Sequence, residues 1–202
     1  TNVTATATGG SVSYGVYNNA SSPTMNDVTA TATGTGDSIN HGVSNNPSSN
    51  NPSSPSMNNV TATATGGSNN FGVSNTSSSP TMNNVTATAT GGSTFNRGVF
   101  NSSSSPTMNN VTATATGGST FNRGVHNYSS SSPTIRNSSI SATGGGVEVD
   151  DSIFHDTDTE STATAIVTNT KLDGNVSGNG FTCIDVYTIT NTFNALDDTC
   201  AL

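Results

Sequence analysis

The sequence predicts an all-β fold, a right-handed parallel β-helix of about seven coils with roughly 26 residues in each. Three observations carry that prediction. A unit of that length recurs along the chain, a strict two-residue alternation runs inside it, and the composition is too polar for one thick core. Charged residues make up 8% and hydrophobic ones 29% of the 202 residues, against about 25% and 45–50% in an average globular domain. Disorder would bring high net charge and no ordered apolar pattern. Here the apolar residues return in register, which favours a thin core renewed by stacking.

The unit reads P-T-M-N-N-V-T-A-T-A-T-G-G-S-x-x-x-x-G-V-x-N-S-S-S-S. Its valine recurs as Val3, Val28, Val60, Val85 and Val111, at spacings of 25, 32, 25 and 26 residues. A second landmark is Gly-Val, at Gly15-Val16, Gly42-Val43, Gly72-Val73, Gly98-Val99 and Gly124-Val125. In chain order each coil is expected to hold three short strands: around Pro-Thr-Met, along Val-Thr-Ala-Thr-Ala, and at Gly-Val-x-Asn. In the middle strand Val111, Ala113 and Ala115 share one face and Thr112, Thr114 and Thr116 the other, the period of a strand with one buried side. Thr and Val favour strands, whereas Gly-Gly and the serine runs break them. Met25, Met57, Met82, Met108 and Ile135 are expected to stack as the bulky ridge of the interior. The asparagine before each valine (Asn59, Asn84, Asn110, Asn137, Asn169) is expected to form an inner amide ladder at a bend, interrupted once by Asp27. Phe71, Phe95 and Phe121, with Tyr14, read as one further column. The Asn/Pro/Ser insertion around Pro47–Pro55 accounts for the long spacing and reads as a loop.

One domain suffices for this length, with residues 1–147 as regular coils and 148–202 as degenerate acidic final coils of the same domain. Ile135 to Ile140 overlays Met108 to Ala113 without a gap, Val167 to Leu172 fits the same frame, and Val149 to Phe154 fits it less well. The formal charge of −8 is uneven. Before residue 148 the acids are Asp27 and Asp37, facing Arg97, Arg123 and Arg136; the remaining ten acids face Lys171 alone. No basic footprint for nucleic acid is present, and no apolar run is long enough for a membrane span. The chain opens in mid-repeat, which reads as a processed or trimmed N-terminus. Cys183 and Cys200 form an even pair in a Ser/Thr/Asn-rich, Lys-poor chain, which suggests export and one disulfide.

These residues resemble right-handed parallel β-helix repeat proteins of the broad pectate-lyase-like type. The nearest likeness is to bacterial surface repeat proteins with G-V-x-N-S-S-S-S-P-T-[MI]-x-N coils, whose usual ending resembles Phe181 to Tyr187 followed by a final Cys. The resemblance implies the fold and is nearly silent on function, because such folds host lyases, adhesins, tailspikes and filament subunits.

Lyase chemistry on polysaccharide needs calcium-binding acids beside an Arg or Lys base. The regular coils offer only two acids, so no enzyme is expected and no catalytic residue is assigned. Asp150, Asp151, Asp156, Asp158 and Glu160 are the candidate Ca²⁺ ligands, being hard oxygen donors close together; a solvated acidic loop is the plainer reading. Arg97 and Arg123 occupy equivalent repeat positions, either gripping an anionic sugar or simply solvated in loops. His41, His126 and His155 share no ligand spacing and read as surface residues. Among the sequons, Asn75, Asn101 and Asn127 precede the serine runs and are the candidate glycosylation sites. The distinctive surface is an outward grid of Thr61, Thr63, Thr65, Thr86, Thr88, Thr90, Thr112, Thr114 and Thr116. The T-x-T pattern resembles the ice-binding face of some antifreeze β-solenoids, although threonine is also simply a soluble residue well suited to an exposed strand. Two uses follow: an extracellular filament or fibre subunit that associates head to tail with its own copies, or an adhesin, carbohydrate-binding or ice-binding module that works through the threonines.

Overall fold

A computed structural model describes residues 2–48, 51–144, 151–156, 165–173, 175–178, 181–184, 187–188 and 193–195. These residues form strands and turns and contain no helix. In chain order the strands are β1 (Val3–Thr8), β2 (Val12–Asn19), β3 (Thr24–Gly34), β4 (Ile39–Asn46), β5 (Ser56–Gly66), β6 (Asn69–Thr76), β7 (Thr81–Thr90), β8 (Phe95–Ser102), β9 (Thr107–Thr116) and β10 (Phe121–Tyr128). They continue as β11 (Thr134–Arg136), β12 (Ser139–Thr143), β13 (Asp151–Asp156), β14 (Ala165–Thr168), β15 (Lys171–Asp173), β16 (Asn175–Gly178), β17 (Phe181–Ile184), β18 (Tyr187–Thr188) and β19 (Phe193–Ala195). Every strand-to-strand pairing is parallel. Two sheets result. One follows the path β1-β3-β5-β7-β9-β11-β14-β17, the other β2-β4-β6-β8-β10-β13-β16-β19. The chain alternates between them once per coil, as a parallel β-solenoid does.

The coils of β1 to β10 carry two strands each where three were expected, whereas in the later coils the long strand divides into β11 and β12, β14 and β15, and β17 and β18, giving three. In the earlier coils Pro-Thr-Met and Val-Thr-Ala-Thr-Ala join into one long strand that bends without breaking. The bend is made by the asparagine before the valine, whose φ is +54° at Asn59, +51° at Asn84 and +54° at Asn110. Asparagine tolerates this left-handed conformation better than other residues with a Cβ. The residue turns the alternation by one step, so Met82 and Val85 both point inward although three positions apart.

The inward residues are those the alternation assigns. Val85, Ala87, Ala89, Val111, Ala113 and Ala115 are buried, as are Met57, Met82, Met108 and Ile135. The ridge stacks in register from Met25 through Met57, Met82 and Met108 to Ile135. From the other sheet, Val43, Val73, Val99 and Val125 complete the core. Facing alanines leave little width between the sheets, and the glycine of each Gly-Val pair is the consequence. A Cβ on Gly72 would stand 2.7 Å from the Thr88 amide nitrogen and 2.6 Å from the Gly98 carbonyl oxygen. Only glycine lets the two backbones approach so closely.

Polar ladders run beside this apolar column. Asn18, Asn45, Asn75, Asn101 and Asn127 form one chain of side-chain hydrogen bonds at 2.8–2.9 Å. Asn40, Asn70, Asn96 and Asn122 form another at 2.9–3.0 Å, whose Nδ2 groups also donate to the Thr65, Thr90 and Thr116 carbonyls. Both are buried. The ladder expected at the bend also exists, from Asp27, which accepts from Asn59, on to Asn84 and Asn110. It lies on the solvent side of the bend rather than inside, because a left-handed residue there turns its side chain outward; Asn59, Asn84 and Asn110 are exposed. After Asn110 the ladder shifts by one residue, with Asn137 donating to Asn109.

The final coils continue both sheets. β11 and β12 pair with β9, and β14 and β15 pair with β11 and β12, in the expected overlay. Of the stretch 149–154, the described residues 151–154 do not take the Val-Thr-Ala frame. Asp151, Ile153 and Phe154 instead align with Arg123, Val125 and His126 in the short-strand sheet. In the insertion near Pro47–Pro55, the described residues 47–48 and 51–55 lie outside the named strands, and an antiparallel bridge joins Ser48 to Asn51.

Candidate functional site

The long-strand sheet brings all nine grid threonines together. Thr61, Thr86 and Thr112 are in register as one column, Thr63, Thr88 and Thr114 as a second, Thr65, Thr90 and Thr116 as a third. Rungs stand about 4.8 Å apart, and alternate residues along a strand about 6.6 Å apart. The first column is exposed and the other two half-buried, while every intervening alanine is fully buried. Thr29, Thr31 and Thr33 extend the grid on one side, with Thr33 and Thr65 hydroxyls 3.2 Å apart. Ser139, Ser141 and Thr143 extend it on the other. The in-register stack fixes β-branched side chains with few rotamers, so hydroxyls and methyls repeat as a flat, two-dimensional lattice.

The short-strand sheet presents a different outer face. In β8, Asn96, Val99 and Asn101 point inward, while Phe95, Arg97 and Phe100 take the opposite side. Register lines up Tyr14, His41, Phe71, Arg97, Arg123 and Asp151 in one column. Phe71 therefore stands apart from Phe95 and Phe121, which pair in a neighbouring column and stack 5.2 Å apart with parallel rings. The expected single column is two, because Phe71 lies two residues further along its strand than Phe95 does on its own.

Neither arginine is a solvated loop residue. Both lie in strands and are pressed between rings. The Arg97 guanidinium carbon is 4.1 Å from the Phe95 ring centre, 4.9 Å from Phe100 and 5.2 Å from both Phe71 and Phe121. Arg123 lies 4.0 Å from Phe121 and 3.6 Å from Phe154, and its Nε is 3.8 Å from Asp151 Oδ2. Burial, helped by the neighbouring Arg123 charge, lowers the Arg97 pKa to about 9. The histidines are likewise not free surface groups. His41 stacks between Tyr14 and Phe71, at 5.0 and 4.7 Å, and burial lowers its pKa to about 4. His126 is buried beside Phe100 and Phe154. The side chain of His155 lies outside the described residues.

The glycosylation expectation is overturned. Asn75, Asn101 and Asn127 are fully buried ladder members, so a folded coil has no room for a glycan there. Their strand alternates Val-x-Asn inward, a pattern visible in the repeat that points to an inner ladder. Of the candidate calcium ligands, Asp151 is buried and paired with Arg123, which takes it out of any acidic loop. Asp150, Asp158 and Glu160 lie outside the described residues, as does the side chain of Asp156. Among the described residues no group of three or more His, Cys, Asp or Glu side chains is placed to hold a metal. Cys200 and the Cys183 side chain also lie outside them. No helix among the described residues is long and apolar enough to cross a membrane.

Compared with protein-family models, curated proteins and solved structures, the chain matches none.

Proposed function

We propose that this chain is a non-enzymatic extracellular β-solenoid that uses its threonine face to hold a regular, hydroxylated surface, such as ice or a crystalline polysaccharide. The observation that supports this reading is the in-register lattice of nine threonines on buried alanines. A lattice of fixed hydroxyls and methyls matches a surface that is itself periodic, and many weak contacts add without each one losing side-chain freedom on binding. Acid–base chemistry has no comparable support, because the only acids before residue 148 are Asp27 and Asp37. The test is thermal hysteresis and ice-crystal shaping, run beside sedimentation with crystalline cellulose and chitin. Replacing Thr88 and Thr114 with Lys should abolish binding to whichever surface is held. Absence of both activities in the folded parent chain overturns the proposal.

End-to-end self-association is the second reading. Its support is that successive coils pair like with like, Val60 on Val85 on Val111 and Asn45 on Asn75 on Asn101, so one coil's lower edge suits another's upper edge. Head-to-tail contacts that do not close generate filaments. Concentrated protein that stays monomeric by light scattering and fibre-free in electron micrographs counts against it.

A further inference from the structure

We infer a second binding site, on the opposite sheet from the threonines: Arg97, walled by Phe71, Phe95, Phe100 and Phe121, receives an oxyanion carried on a sugar ring, a sulfate or a carboxylate. The inference is independent of what the threonine face does.

The first support is an unanswered cation. Arg97 Nε is buried without a hydrogen-bond partner. The described residues supply no ion pair to Arg97, since the single bridge of this column joins Arg123 to Asp151. The next rung places a second guanidinium in register with the first, so among the described residues the charge at Arg97 is positive and uncompensated. Aromatic faces attract a guanidinium by about 0.5–2 kcal/mol, but a ring does not accept the planar fork of N–H donors that suits an oxyanion. The Arg97 guanidinium stays cationic at neutral pH even with its lowered affinity for the proton. Asp27 and Asp37, the two acids before residue 148, lie outside the short-strand sheet that carries Arg97.

The second support is the wall itself. Phe100 is half-buried, and Tyr17 and Tyr128 on the same face are 48% and 44% exposed. In register the column reads Tyr17, Ser44, Ser74, Phe100, His126. Flat aromatic surface beside a fixed guanidinium suits a ligand with an apolar C–H face and a charged edge, which is the shape of an acidic sugar. A free inorganic anion would use the guanidinium and leave the rings idle.

The experiment is calorimetric titration of the full chain with four probes at matched ionic strength: a sulfated oligosaccharide, an oligouronate, a neutral oligosaccharide of equal length, and sodium sulfate. One acidic oligosaccharide should bind at least tenfold more tightly than the neutral one and than sulfate alone, and which one binds identifies the oxyanion. Arg97→Gln should weaken that binding at least tenfold, whereas Arg136→Gln, which removes an exposed charge elsewhere, should leave it unchanged. Should Arg97→Gln fail to fold by circular dichroism, Arg97→Lys keeps the charge without the planar fork and is expected to weaken binding severalfold. Equal affinity for acidic and neutral sugars, equal affinity for bare sulfate, or an Arg97 variant that binds as the parent does would overturn the inference.

Discussion

Asn75 donates its carboxamide hydrogen to Oδ1 of Asn101 at 2.9 Å, one coil away, and both residues are fully buried. Asn101 in turn donates to Asn127 at 2.8 Å. An amide is its own complement, so an identical side chain on every rung satisfies donor and acceptor together. Such ladders let a chain with few apolar residues pair most of its buried polar atoms. At the ends of the two ladders, Asn40 Oδ1 and Asn127 Nδ2 have no partner among the described residues.

Truncating Asn101 to Ala therefore strands the Asn75 donor and the Asn127 acceptor at once. Each orphaned buried group costs about 1–3 kcal/mol, and a loss near 3 kcal/mol is expected from denaturant unfolding. Asn84→Ala, in the exposed ladder at the bend, should cost less, although alanine adopts its left-handed backbone less readily than asparagine.

Gly72→Ala places a methyl within 3 Å of the Gly98, Thr88 and Ala87 backbones. Backbone cannot step aside as a side chain can, so the sheets must separate. Overpacking of this kind costs about 1–3 kcal/mol or more. The melting temperature should drop, with amide exchange rising first at Val73 and Thr88.

His41 makes stability depend on pH. Its folded pKa of about 4 lies below the ordinary 6.5, so the unfolded chain takes up a proton that the folded one refuses. Stability is fully present above pH 6.5, declines as pH falls from 6.5 towards 4, and levels off below. His41→Phe keeps a ring between Tyr14 and Phe71 and removes this component. Against that variant, the parent should lose about 3 kcal/mol more across the interval, measured by urea unfolding at stepped pH.

Met82→Ala removes the largest inward side chain of its rung. With Met57 and Met108 stacked on either side, little can collapse into the space, and about 2–5 kcal/mol is the expected cost. Calorimetry should register it as a lower melting temperature.

Much of this was legible in the residues because repetition multiplies weak signals. One Val-Thr-Ala-Thr-Ala segment is ambiguous; five copies in register fix the strand, its inward face and its parallel stacking. The bend was legible as an asparagine ladder but not its side of the wall, since that depends on a positive φ at Asn59, Asn84 and Asn110. The short-strand sheet was read poorly. Gly-Val interrupts its alternation where the backbones touch, which hid the outward Arg97 and Phe100. The Val-x-Asn spacing did point Asn75 and Asn101 inward, but the sequon before the serine run drew the reading instead. Sequence alone offered sequons and charged loops there; packing against the alanine column turned them into a buried ladder and a ring-walled guanidinium.

Everything rests on alanine facing the interior and threonine facing solvent along one long strand. Thiol labelling read out peptide by peptide tests this directly, comparing Thr88→Cys with Ala87→Cys under native conditions. The position 88 thiol should react freely and the position 87 thiol at least a hundredfold more slowly, through rare opening of the coil. Equal rates, or faster reaction at position 87, would contradict the stacked two-sheet solenoid and both surfaces derived from it.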